Sequence, residues 1–183
     1  MIDTSALNPP IAHDDTVWLF GYGSLIHKVD FPFLNQRTAT LHGWVRRFWQ
    51  GSHDHRGTPS SPGRVLTLVE QPDGHCKGVA YQVTGSVFDH LDHREKNGYL
   101  RLTRPLRFEN GDHVDGLVYI AAAGNGAWLG PAPVDEMATQ IAQSHGPSGS
   151  NRDYLLALAK ALAAIGADDP HVFELAARVK QHD

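Results

Sequence analysis

A basic excess, a pair of cysteines and any long apolar run are all missing from this chain of 183 residues. Each gap closes off a class of function. Sixteen Lys and Arg stand against twenty Asp and Glu, a formal net charge of −4, so there is no cationic surplus to displace counterions from a polyanion. Nucleic acid is not an expected partner. A single cysteine, Cys76, cannot close an intramolecular disulfide, which fits a reducing compartment. The longest apolar run, Val17 to Phe20 extended to Ile26, falls well short of the ~20 residues that cross a bilayer. Residues 1–16 lack the charged start and apolar stretch of a signal peptide. A cytoplasmic location without a membrane partner is therefore the expectation. The chain also lacks the Gly-x-x-x-x-Gly-Lys spacing of a phosphate loop and the third glycine of a dinucleotide fingerprint.

What is present describes a folded protein. Apolar residues make up 41% and charged residues 20%, ordinary globular usage. Residues 1–15, with Pro9, Pro10 and three Asp, are expected to form a flexible tail ahead of a single domain over 16–183. Val17-Trp18-Leu19-Phe20 has the aromatic and β-branched content of a buried strand running into the glycine turn Gly21-Tyr22-Gly23-Ser24. Further strands are expected over 39–48, 64–70, 77–83, 99–108 and 114–121, with Pro72-Asp73-Gly74 and Asn110-Gly111-Asp112 as turns. Ser86-Val87-Phe88-Asp89 resembles a capping box for a short helix to about Lys96, closed by Asn97-Gly98. Later, Val134, Met137 and Ile141 share one helical face, as do Tyr154, Leu158, Leu162 and Ile165. Asp169-Pro170 caps a last helix. Six short strands followed mainly by helices predict an α+β domain around a curved or barrel-like sheet.

Several segments carry groups capable of chemistry. Gly21 and Gly23 directly after a strand let the backbone take positive φ and approach a ligand, with successive N–H groups forming a nest for an oxyanion; the same glycines also serve a plain tight turn. Glu95 falls in the last turn of a predicted helix, where the negative end of the helix dipole would raise its pKa toward that of a general base. A solvated helix end with locally paired charges accounts for the same residues. Arg56 and Arg64, in a loop with two prolines, suit either a clamp on a substrate carboxylate or ion pairs that hold the loop down. Tyr154 reads from its spacing as core. Twelve histidines include His53-x-His55 and a cluster of Asp89, His90, Asp92 and His93. None has the spacing of an established metal motif, so structural or surface roles are expected and no metal or other cofactor is assigned.

Taken in order, these segments resemble a known family. Phe20-Gly21-Tyr22-Gly23-Ser24-Leu25-Ile26 comes first, then Arg46-Arg47-Phe48-Trp49 and Asp54-His55-Arg56-Gly57-Thr58-Pro59. Pro62-Gly63-Arg64-Val65, Arg94-Glu95-Lys96-Asn97-Gly98-Tyr99 and Gly146-Pro147-Ser148-Gly149 follow. Together they resemble the ChaC-type γ-glutamylcyclotransferases from about residue 17 to 180. The chain departs from the usual pattern at His27 and at Ala127-Trp128. The resemblance implies a γ-glutamylcyclotransferase-like fold, a small mixed β-barrel with surrounding helices. It implies a cofactor-independent lyase that cleaves glutathione to 5-oxoproline and cysteinylglycine. It further implies Glu95 as the proton acceptor and Gly21, Tyr22, Gly23, Ser24, Leu25 and Ile26 as the substrate loop, with Arg56, Arg64, Tyr99 and Tyr154 as further substrate-binding candidates. The competing expectations are a non-catalytic sensor of γ-glutamyl ligands that regulates a transporter, a cyclotransferase for other γ-glutamyl amino acids, and a metal-dependent hydrolase built on the His and Asp cluster.

Overall fold

Alternation of apolar and polar residues in the first two thirds of the chain builds strands, and the 3.6-residue period of the last third builds helices. The computed structural model describes residues 4–182. Strand β1 is Thr16–Gly21, β2 is Asn35–Ser52, β3 is Gly63–Thr84, β4 is Tyr99–Phe108 and β5 is His113–Ala121. They close a barrel in the order β1-β3-β2-β4-β5. β1 pairs antiparallel to β3, with Leu19 opposite Tyr81, and parallel to β5, with Trp18 opposite Gly116. A side chain at Gly116 would strike Leu106 Cδ1 at 2.3 Å. Glycine there lets β5 close on its neighbours.

Five barrel strands replace the six expected, because 64–70 and 77–83 belong to one continuous β3. Pro72-Asp73-Gly74 does not turn the chain: residues 70–73 are exposed, and a Cβ at Gly74 would lie 2.6 Å from Val45 Cγ1. The glycine permits close packing on β2 instead of a bend. Asn110-Gly111-Asp112 is a turn, with Gly111 at φ 92° and the Phe108 N–H donating to the Asp112 carbonyl at 2.8 Å.

The chain divides into two compact units. The first takes the residues up to Val45 with Glu70–Gly126, and its core holds Leu19, Phe20, Leu41, Tyr81, Val83, Leu106 and Val118. It also holds helix α1, Phe88–Arg94, entered through a 3-10 turn over Gly85–Val87. No side chain caps that turn or the helix; the Ser86 hydroxyl sits 3.0 Å from that of Thr84, so the expected capping box is not formed. Gly98, at φ 102°, supplies the left-handed residue that turns the chain out of the helix into β4. The second unit takes Arg46–Val69 with Ala127 onward. There α2 (Val134–Gln143), α3 (Asn151–Ala164) and α4 (Pro170–Lys180) bury Met137, Ile141, Leu155, Leu158, Leu162, Val172, Leu175 and Val179. Asp169 caps α4 as its sequence predicts, accepting from the Val172 N–H at 3.1 Å. Among the described residues no helix is long and apolar enough to cross a membrane.

Candidate active site

At the end of β1 the chain leaves the barrel through Gly21-Tyr22-Gly23 and enters a 3-10 turn over Ser24–Ile26. Neither glycine uses positive φ, contrary to the sequence expectation. Gly21 is required by packing: a Cβ there would sit 3.0 Å from Leu25 Cβ and 3.4 Å from the Tyr81 ring. The turn is tied inward by Tyr81, whose hydroxyl donates to the carbonyls of Leu25 (2.8 Å) and Ile26 (3.3 Å). Burial pushes that phenol up to about 12, so it remains a donor at neutral pH. The Ile26 N–H donates to Gly23 O and the Lys28 N–H to Ser24 O. Among the described residues the Ser24 and Leu25 N–H groups donate to no main-chain carbonyl, as expected for the first donors of a helical turn.

Glu95 is the residue after α1, its N–H donating to Leu91 O at 2.9 Å. The side chain is 20% exposed, and its Oε1 lies 4.0 Å from Arg94 Nε. Arg94 reaches further, to Asp30 at 3.1 Å and the Ser24 hydroxyl at 3.4 Å. One guanidinium thus touches the glycine turn and stands beside the Glu95 carboxylate. A second connection runs through Tyr119. Tyr22 Oη donates to the Tyr119 carbonyl, and Tyr119 Oη donates to Asp92 Oδ1, both at 2.5 Å. Burial first, then the hydrogen bond and charge of Asp92, push the Tyr119 phenol far up, and Glu95 adds to the push. Asp92 in turn holds Arg101 through two oxygens, at 3.0 Å each. Tyr99 opens β4 four residues beyond Glu95, in register with Ala121. The structure therefore gathers Glu95, the 21–26 turn and Tyr99 in the first unit.

Arg56, Arg64 and Tyr154 lie in the second unit, where each has a partner within the protein. Arg64 is 6% exposed; its Nη1 donates to the carbonyls of Phe48 and Gly130 and its Nε to Gln140 Oε1. Burial lowers its pKa. These bonds make it a tie within the unit. Arg56 stacks over the Tyr154 ring at 5.5 Å and donates to Ser150 O at 3.3 Å, and the Tyr154 ring meets Phe48 edge-on. The His and Asp cluster is dispersed. Asp89 pairs with His13, His90 with Asp30, and Asp92 with Arg101; among the described residues no group of three or more His, Cys, Asp or Glu could hold a metal.

Tyr81, Tyr119 and Arg101 carry no site signal in the sequence, and Asp92 stands out there only as a potential metal ligand. The tyrosines sit in strands whose alternation marks them as core, and no sequence signal shows which carbonyl a buried hydroxyl reaches. Arg94 had a signal, its place beside Glu95.

A family model described as ChaC-like protein matches residues 17–182. The chain belongs to the ChaC-like family. This ChaC-like chain is 42% identical over 179 residues to glutathione-specific gamma-glutamylcyclotransferase 1 of Danio rerio, covering 91% of this chain and 90% of that protein. It is 37% identical to the glutathione-specific gamma-glutamylcyclotransferase of Saccharomyces cerevisiae over 80% of this chain and 85% of that one. A crystal structure of the yeast gamma-glutamyl cyclotransferase specific to glutathione superposes with a TM-score of 0.85 at 32% identity, covering 91% of this chain and 96% of that one. The ChaC-like barrel with its helices is thus a gamma-glutamylcyclotransferase fold of α+β class, the architecture the sequence predicts.

Proposed function

We propose that this ChaC-like protein is a γ-glutamylcyclotransferase acting on glutathione. In a γ-glutamyl amide the α-amine and the γ-carbonyl carbon belong to one residue, so attack closes a five-membered ring and needs neither water nor a covalent enzyme intermediate. A well-oriented intramolecular attack contributes on the order of 7 to 11 kcal/mol. The protein's work is to fold the γ-glutamyl chain, move one proton and steady one oxyanion.

Glu95 takes a proton from the α-ammonium. The freed amine forms the C–N bond to the γ-carbon, and the carbonyl oxygen gains charge against the Ser24 and Leu25 N–H groups of the turn. As the carbonyl re-forms, the bond to the cysteinyl nitrogen breaks, Glu95 returns its proton to that nitrogen, and the second proton of the ring nitrogen passes to the departing amine, leaving a neutral lactam and an ammonium. The products are 5-oxoproline and cysteinylglycine. The observation that carries this reading is Arg94, which touches the Ser24 hydroxyl at 3.4 Å and lies 4.0 Å from the Glu95 carboxylate; base and turn thereby share one cationic neighbour. Support for glutathione comes from the relatives' names.

Purified protein incubated with glutathione and, separately, with γ-glutamylalanine, without added metal, should release 5-oxoproline from glutathione preferentially. Saturable glutathione binding without 5-oxoproline would favour the sensor instead. Glu95→Gln keeps shape but cannot accept a proton, and turnover should fall by ~10² or more with folding intact. Turnover within a few fold of wild type would remove Glu95 from its role.

A further inference from the structure

The residues ahead of β1 are bonded to the element that carries Glu95. Thr4 donates from its N–H to Lys96 O at 2.7 Å, and its hydroxyl lies 2.6 Å from Lys96 O and 2.5 Å from Tyr99 O. Asn8 Oδ1 accepts the Arg101 N–H at 2.8 Å, and Pro9 O accepts Arg101 Nη2 at 2.6 Å. At the opposite end of α1, the Gly85 N–H donates to Asp15 O and the Ser86 N–H to His13 O. A Cβ at Gly85 would come within 2.0 Å of Ala12 O. The segment therefore grips the chain on both sides of α1, just before Phe88 and just past Glu95.

α1 is seven residues long and has no side-chain cap. A helix that short does not hold its shape in water unaided, so Glu95, sitting on its end, depends on outside contacts for its position. Arg101 extends the grip: bonded to Asn8 and Pro9 on one side, it pairs with Asp92, which accepts from Tyr119, whose carbonyl accepts from Tyr22 of the glycine turn. The family match starts at residue 17; this segment lies ahead of it.

We propose that residues 4–15 act as a brace that positions Glu95 against the glycine turn, with Thr4 and Asn8 as its positioning residues. The role assigned to Glu95 rests on the function proposed above; the bracing of α1 does not. Small displacements of a catalytic group cost rate far more than they cost binding.

Two readouts test the brace in the full chain. Thr4→Val and Asn8→Ala should lower kcat for glutathione by roughly 10-fold with KM within about twofold, and Thr4→Ser, which keeps the hydroxyl, should restore it. Leu106→Val in the barrel wall serves as the control: it should lower the melting temperature and leave kcat unchanged. Amide hydrogen exchange over residues 88–97 should quicken in Thr4→Val and Asn8→Ala while the barrel strands keep their protection. Wild-type kcat in both variants with unchanged exchange over 88–97 would overturn the brace. If the wild-type protein forms no 5-oxoproline, the proposed function falls, and exchange alone then decides whether the segment holds α1.

Discussion

Glu95 and Arg94 are neighbours in sequence with different tasks. Arg94 spends its guanidinium on Asp30, Ser24 and the flank of Glu95, so Arg94→Gln should loosen base and turn together. We expect kcat/KM to fall by roughly 10². Asp30→Asn, at an exposed pair, should change it by less than about threefold; equal losses in steady-state kinetics would contradict this division of labour. His171 gives a test by pH. Its Nε2 accepts the Phe48 N–H at 3.0 Å, and burial, then the charge of Arg47, lowers its pKa from 6.5 to about 4. The native state keeps it neutral while the unfolded chain takes a proton below 6.5. Stability is therefore full above that pH, declines as pH falls toward 4, and levels off below. With partial exposure discounted, the decline amounts to about 1 to 2 kcal/mol. Denaturant melts between pH 7 and 4 should show it, and His171→Gln, which keeps an acceptor, should flatten it.

Elements differ in how much of their fixing is written locally. Helix α4 is fixed by its own opening: Asp169 accepts from Val172 and pairs with the buried Arg46 at 3.1 Å. Asp169→Ala removes a cap and strands a charge, and should cost about 3 kcal/mol or more by chemical denaturation. Asp169→Asn should recover roughly the cap's ~1 kcal/mol. Such signals are visible in sequence, as are the Asn110-Gly111-Asp112 turn and the 3.6 period of the late helices. The Pro72-Asp73-Gly74 stretch misled because turn residues also occur where an exposed strand passes a close neighbour, and only the Val45 contact decides. The glycine turn after β1 was legible in place but not in mechanism: crowding by Leu25 and Tyr81, which are distant or unremarkable in sequence, is what demands Gly21. Residues 1–15 lack any hydrophobic period, yet residues from Thr4 onward make specific hydrogen bonds, a form of order that periodicity does not report.

For the whole molecule, closure of the barrel joins the chain's first strand to its fifth, and that closure sets Tyr22 beside the Tyr119 carbonyl. Patterning predicts the α+β class and a curved or barrel-like sheet because it specifies layers well. The partners of Arg56, Arg64 and Arg101 stayed hidden, since all three arginines look alike in the chain and differ only in what the folded protein offers them. Arg101 meets an aspartate and the N-terminal segment, whereas Arg64 meets backbone carbonyls.

Cys76, in β3, is only 1% exposed. An enzyme that consumes a thiol must also live with that thiol's oxidised dimer, and exchange with a disulfide needs a sulfur that solvent can reach. Incubation with oxidised glutathione should therefore leave the intact mass unchanged until denaturant opens the barrel, when one glutathionyl group should add. A sulfur sealed in this way gives disulfides no handle on the folded protein, so modification at Cys76 should not change its rate.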